Sequence, residues 1–457
     1  MSCDMKTIIL VRVTCTLLLT SAPAYSTGFK QRGVYLTVSS YEGPRRLPGH
    51  FEVNWYGVDV DHLNRTFAAL LLEAPNSHNW KNAQLYPVKQ STGRVTTHVK
   101  FPKNSTQLAM TGNCLDYWAV LLEVDDVSGD NNAAVVDSSC FRGHPRWMQE
   151  NCCHFYNLKV DEMFIPGTHD SAMYGLKRDW PVGDFIFTQD QTIAHQLAFG
   201  IRSLDLRVGF TDGAFWIFHN KFKAQVSLET VLRQVRTFVE TTGEVVILDF
   251  HRFTLGFNRH VDPVEERHRT LVQLIMDTLT GAVGHRQLFN STLEDLLGGC
   301  GARSRWRRPT VFIMYNYDYM GPNSEFLCPG VIQNWANAQD LEYLVEYLEK
   351  NACKKFPGTL SSAQAELTAK FPSQMDTIRQ LAEIVNFNVT NLFREHFWNC
   401  TNIVTNDYFL GSGTVELAIE ANKYRGKLKG GLGRCEHGLQ RGLSTNRLRL
   451  ETAFAKR

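Results

Sequence analysis

Residues 227–250, SLETVLRQVRTFVETTGEVVILDF, decide the fold class. Ser227 stands where an N-cap hydroxyl accepts from the amides of a first helical turn. Leu228, Val231, Leu232, Val235, Phe238 and Val239 follow at three- and four-residue spacing and line up one apolar helix face. Gly243 ends that helix. Val245 to Phe250 then forms an apolar run of the kind a fully buried strand needs. The same alternation extends outward on both sides. Strand-like runs occur at Met163–Ile165, Ile201–Leu206, Phe215–Phe218, Val245–Phe250, Val311–Tyr315 and Ile403–Val404, with helical stretches between them. Strand, helix, strand is the rhythm of parallel α/β folds, and residues 155–420 have the length of a (β/α) barrel.

Upstream the pattern differs. Residues 28–145 hold short alternating or aromatic runs, among them Val34–Val38, Phe51–Trp55, Phe67–Leu72 and Tyr117–Val124. Turns rich in Gly, Pro and Asn separate them, which predicts a small antiparallel β-sandwich. The fold expected is therefore α/β: a distorted TIM (β/α) barrel preceded by a small all-β, sandwich-like domain.

The chain has 457 residues, a formal net charge of +2, 43% hydrophobic and 21% charged residues. That balance gives no general electrostatic case for nucleic-acid binding. Residues 1–24 combine Lys6, the apolar run Ile8–Val11, Leu17–Leu19 and a small-x-small step at Ala22-Pro23-Ala24. They read as a secretory signal peptide, so a secreted, extracellular protein with no transmembrane segment is expected. Export agrees with sequons at Asn64, Asn104, Asn290, Asn388 and Asn399, and with nine cysteines beyond the leader. An odd number leaves one cysteine outside the chain's own disulfides. Residues 423–457 read as a basic, solvated tail.

Polar residues close the apolar runs: His169-Asp170, Asp205-Leu206-Arg207, His219-Asn220, Asp249-Phe250-His251-Arg252 and Asn406-Asp407. In a parallel barrel the C-terminal strand ends converge on one mouth, where catalytic groups gather. Asp205 and Arg207, two apart on a strand, face the same side. Such a set suits phosphodiester cleavage through a neighbouring hydroxyl. One imidazole takes the hydroxyl proton, another protonates the leaving oxygen, and a guanidinium stabilises charge building on the phosphoryl oxygens.

Four motifs now carry a resemblance. Phe164-Ile165-Pro166-Gly167-Thr168-His169-Asp170-Ser171, Gly200-Ile201-Arg202-Ser203-Leu204-Asp205-Leu206-Arg207-Val208, Phe218-His219 and Glu244-Val245-Val246-Ile247-Leu248-Asp249-Phe250 resemble, in order and spacing, the X domain of phosphatidylinositol-specific phospholipase C. The resemblance implies a distorted TIM barrel, with His169 as general base on the inositol 2-hydroxyl and His219 as general acid for the diacylglycerol oxygen. Asp170 would support that acid, and Arg207 with Asp205 would bind or polarise the phosphate. Asp407 would orient His169. His251 and Arg252 stand where a substrate-contacting basic residue is expected. Arg207 is similar to the arginine of metal-independent bacterial members, so no cofactor or metal is expected. The partner implied is a phospholipid or glycosylphosphatidylinositol (GPI) head group at a membrane surface. Two other readings stand beside this one: an X-domain barrel that binds without turnover, and a Mg²⁺-dependent secreted barrel phospholipase D.

Overall fold

Short β-rich runs need facing partners to bury their apolar side, and the first seven strands find them in one another. The computed structural model describes residues 32–40, 49–76, 79–102, 106–124, 133–175, 183–300, 310–369 and 376–430. Residues 1–24, Asn104 and the chain from residue 431 onward lie outside the described residues. The seven strands are β1 (Gly33–Val38), β2 (His50–Tyr56), β3 (Thr66–Leu71), β4 (Leu85–Pro87), β5 (Gly93–Lys100), β6 (Cys114–Val124) and β7 (Ala133–Arg142). They make two antiparallel sheets, ordered β1-β2-β5 and β4-β3-β6-β7. Phe51 of the first sheet packs on Tyr117 and Phe141 of the second, with ring centroids 4.5 and 5.1 Å apart. Phe141 also meets Phe199 at 5.6 Å, so the two sheets share one continuous core with the rest of the chain.

The remaining strands are β8 (Ile165–Thr168), β9 (Ser203–Thr211), β10 (Ala214–His219), β11 (Phe222–Ser227), β12 (Val245–Phe253), β13 (Thr310–Tyr315), β14 (Leu327–Pro329), β15 (Ile332–Asn334), β16 (Ser361–Gln364) and β17 (Ile403–Asn406). Eight of them run parallel in the order β14-β13-β12-β9-β8-β17-β16-β15. The sheet curls into a distorted (β/α) barrel whose seam lies between β14 and β15. Gln333 on β15 donates to Asp249 on β12 at 2.6 Å across the interior. The longer helices are α1 (Leu228–Thr242), α2 (Val264–Thr278), α3 (Leu341–Asn351), α4 (Ile378–Leu392) and α5 (Thr414–Leu428). α1 is capped as its sequence dictates. The Ser227 hydroxyl accepts from Thr230 N at 3.2 Å, and Gly243 sits in the left-handed region at φ 68°.

Three expectations need correction. β10 is antiparallel to β9 and forms a hairpin with β11, so Phe215–Phe218 is not a barrel strand. Only two residues join it to β9, too few for a crossover to a parallel neighbour. The first barrel strand begins at Ile165 rather than Met163. α5 continues to Leu428, into the stretch read as tail, because Arg425 is buried and donates to the carbonyls of Trp398 and Glu162. Disulfides join Cys114 to Cys140, Cys152 to Cys300 and Cys353 to Cys400; Cys153 is also disulfide-bonded, and Cys328 is a buried free thiol. Asn64, Asn290, Asn388 and Asn399 are all exposed. No described helix is long and apolar enough to cross a membrane.

Candidate active site

Register places the first pair. β17 lies parallel to β8 with Asn406 opposite Thr168, so the next residues, Asp407 and His169, leave the sheet side by side. His169 Nδ1 lies 2.8 Å from Asp407 Oδ1, and the His169 amide donates to the Asn406 carbonyl at 3.2 Å. A carboxylate on Nδ1 fixes the tautomer and turns Nε2 toward the mouth.

β9 supplies the cation. Arg207 Nη2 is 2.9 Å and Nε 3.4 Å from the carboxylate of Asp205, a two-point pair that holds the guanidinium flat. His219 ends β10 and reaches the same space: its ring centroid is 6.4 Å from that of His169, and the planes meet at 86°. His219 Nδ1 donates to the Ile186 carbonyl at 2.8 Å, which sends Nε2 the other way.

Asp170 is placed differently from the expectation. Its φ of 39° turns the backbone so that its amide donates to Asp205 Oδ2 at 3.1 Å. Its carboxyl then lies beneath Arg207, Oδ2 3.6 Å from Nη1, and is not hydrogen-bonded to His219. His251 is the extra residue at an irregularity between Phe250 and Arg252. The Asp205 and Arg207 charges act on it, and its buried Nδ1 has no hydrogen-bond partner. Arg252 is exposed, so the structure does not bring it into this cluster.

Four acid and amide groups also line the interior. Asp249 sits beside Asp205 in the β9–β12 register. Gln364 donates to Gln333, which in turn donates to Asp249. Glu366 follows β16, where Ala365 N bonds the Thr405 carbonyl and brings the next residue alongside Asp407. Glu366 is buried, and neither of its carboxyl oxygens has a hydrogen-bond partner. Sequence reading missed it because Ser361–Gln364 carries no apolar strand pattern. A lone acid in Ala363-Gln364-Ala365-Glu366-Leu367 was the only available signal.

The charges follow from these neighbours. Burial disfavours the charge on His169, but the Asp407 and Glu366 carboxyls outweigh it and raise the imidazole to about 9. Burial, then the charges of His169 and Arg207, push His219 down to about 4. Burial opposes ionisation of Asp205, yet Arg207 holds its carboxyl far below the usual range. Burial raises Asp170 to about 7 against the pull of Arg207, and Glu366 to about 8. Asp249 is also raised, by burial and by Asp205. At neutral pH, then, His169 is the imidazolium and His219 the free imidazole, and burial favours the protonated forms of Glu366 and Asp249. One protonated and one neutral imidazole beside a guanidinium can relay a proton around a phosphoryl group.

No family model matches the chain. Among curated proteins it is similar to mouse PI-PLC X domain-containing protein 2, 26% identical over 253 residues that cover 49% of this chain and 69% of the relative. It is also similar to human PI-PLC X domain-containing protein 1, 24% identical over 322 residues, 62% of this chain and 94% of the relative. Among solved structures, the phosphatidylinositol-specific phospholipase C of Listeria monocytogenes aligns over 61% of this chain and 98% of its own, at 19% identity and a TM-score of 0.43.

Proposed function

We propose that this chain, a member of the phosphatidylinositol-specific phospholipase C X-domain family, is a secreted phosphodiesterase that cleaves phosphatidylinositol or GPI-type lipids without a metal ion. The observation that carries the reading is the pair of rings, His169 and His219, set 6.4 Å apart with the charge of Arg207 acting on both. One imidazole accepts the proton of the ring hydroxyl next to the phosphodiester. That oxygen attacks phosphorus and closes a cyclic phosphodiester. The bond to the diacylglycerol oxygen breaks, and the other imidazole donates the proton that oxygen needs. Arg207, held by Asp205, faces the non-bridging oxygens as charge grows on them.

The resting charges refine the roles implied by the family resemblance. The pair carries one proton, and it rests on His169. A bound diester anion opposes the burial and the His169 and Arg207 charges that keep His219 neutral. The proton then moves to His219, leaving His169 with Asp407 behind it as the base. Exposed sequon asparagines and the disulfides suit an exported enzyme, which meets outer-leaflet lipids and GPI anchors.

The test is to incubate the purified protein, in EDTA, with phosphatidylinositol vesicles and with cells bearing a GPI-anchored marker. Diacylglycerol release together with freed marker supports the reading. Neither product, with the fold intact, ends it.

A further inference from the structure

Tyr408 follows the orienting Asp407, and its backbone lies in the left-handed region, at φ 45° and ψ 57°. A bulky residue adopts that conformation only where its surroundings impose it. The Tyr408 amide and hydroxyl donate to the Thr188 and Phe187 carbonyls at 2.8 and 2.6 Å, and α4 holds the carbonyl side of the turn. Asn386 Nδ2 donates to the Asp407 carbonyl at 2.9 Å and to the Tyr408 carbonyl at 3.3 Å. The Asn386 carboxamide oxygen accepts from Asn406 at 3.3 Å. On the same helix, Arg379 lies over the Tyr408 ring at 4.3 Å. A single buried side chain thus ties together the three consecutive residues that aim the carboxylate at His169.

α4 is in turn gripped by the N-terminal sheets. Three residues before Asn386, the Glu383 carboxylate accepts from Ser39 Oγ at 3.3 Å and from the Ser40 amide at 3.2 Å. Arg94 on β5 pairs with that carboxylate at 3.0 Å, and its Nη2 donates to the Glu383 carbonyl at 2.9 Å. The Ser40 hydroxyl donates to the Arg379 carbonyl at 3.2 Å. Tyr35 of β1 packs so closely on Gly413, just past the Asp407 turn, that a Cβ there would lie 2.5 Å from its ring.

We propose that the N-terminal β module is part of the catalytic apparatus: clamped on α4 through Glu383, it holds Asn386 against the Asp407–Tyr408 backbone and thereby sets the aim of Asp407 at His169. Asn386 and Glu383 are positioning residues. The consequence for turnover rests on the phosphodiesterase reading; the consequence for the His169 ring does not.

The experiment compares the full-length wild type with Asn386→Ala, Glu383→Ala and Glu383→Gln. It follows the His169 imidazole by NMR titration without substrate, and kcat and KM on phosphatidylinositol vesicles. Asn386→Ala and Glu383→Ala should lower the His169 midpoint by about one pH unit, a tenfold loss of proton affinity. The Glu366, Arg207 and His219 side chains around the ring stay in place in both. Turnover should fall roughly 10–100-fold with KM within about twofold, the mark of a misaimed group rather than lost binding. Glu383→Gln keeps one acceptor oxygen for Ser39 and Ser40 but loses the one that pairs with Arg94, and should recover part of both. If Asn386→Ala does not fold, Glu383→Ala decides, since that side chain is partly exposed. A folded variant whose His169 titrates as in the wild type overturns the proposal. A wild type that does not cleave phosphatidylinositol overturns the functional reading instead, and the titration still decides the brace.

Discussion

His169 and His219 differ by their neighbours, not their chemistry. Asp407 on Nδ1 keeps a proton on His169 at neutral pH, whereas burial and the His169 and Arg207 charges keep one off His219. With a thiolate leaving group, which needs no proton, the acid becomes dispensable. His219→Ala should therefore keep most of its rate on a phosphorothiolate analogue while losing it on the natural ester, and His169→Ala should lose both. Recovery by His169→Ala instead would exchange the two roles. Glu366 supports a second prediction. Its folded-state value is raised from 4.5 to about 8, so the folded state favours the protonated acid. The stability this contributes is fully present below about pH 4.5 and is lost as pH rises toward 8. Glu366→Gln removes that loss. Its melting temperature should match the wild type near pH 4 and exceed it increasingly up to pH 8; a constant difference would contradict the assignment. Membership of the polar cluster was partly legible in sequence. His169, Asp205, Arg207, His219 and Asp407 were marked by polar ends on apolar runs. The partner of Asp170 was not, because a positive φ at an aspartate redirects its side chain and leaves no trace in spacing.

Elements with their own local signals were read well. The helix of residues 228–242 was legible from cap to cap, and its ends should be measurable in stability. Ser227→Ala should cost about 1 kcal/mol. Gly243→Ala forces a Cβ into the left-handed region and should cost about 1 kcal/mol as well. Chemical denaturation checks both, and the losses should add because the sites are an entire helix apart. Strands β14, β15 and β16 were invisible. They are three or four residues long, and Ser361-Ser362-Ala363-Gln364 has neither alternation nor an apolar run. Tertiary pairing at the barrel seam makes them strands, and pairing between distant segments is not a local property of sequence. The antiparallel β10 was misread for a related reason: an apolar run records burial, not direction.

At the scale of the molecule, the β module and the barrel meet in buried polar contacts as well as apolar ones. Arg202 is fully buried and pairs with Glu244 at 2.8 Å. It also donates to the His144 and Pro145 carbonyls that join the two parts, and Glu244 accepts from the Met148 and Gln149 amides. Removing one partner strands the other charge, so Arg202→Ala should cost roughly 3–5 kcal/mol in denaturant unfolding. The division into a β-rich part and an α/β barrel was legible in the change of rhythm along the chain. That the two share one core was not, because Phe141 and Phe199 are distant in sequence and meet only after folding. The most direct test of the central claim is phosphorus NMR of phosphatidylinositol digested in EDTA. A cyclic phosphodiester resonance should grow with wild-type protein and be absent with His169→Ala or His219→Ala. A silent spectrum from folded wild-type protein, activity that returns only with a divalent cation, or phosphatidic acid as product would contradict the two-imidazole, one-guanidinium site.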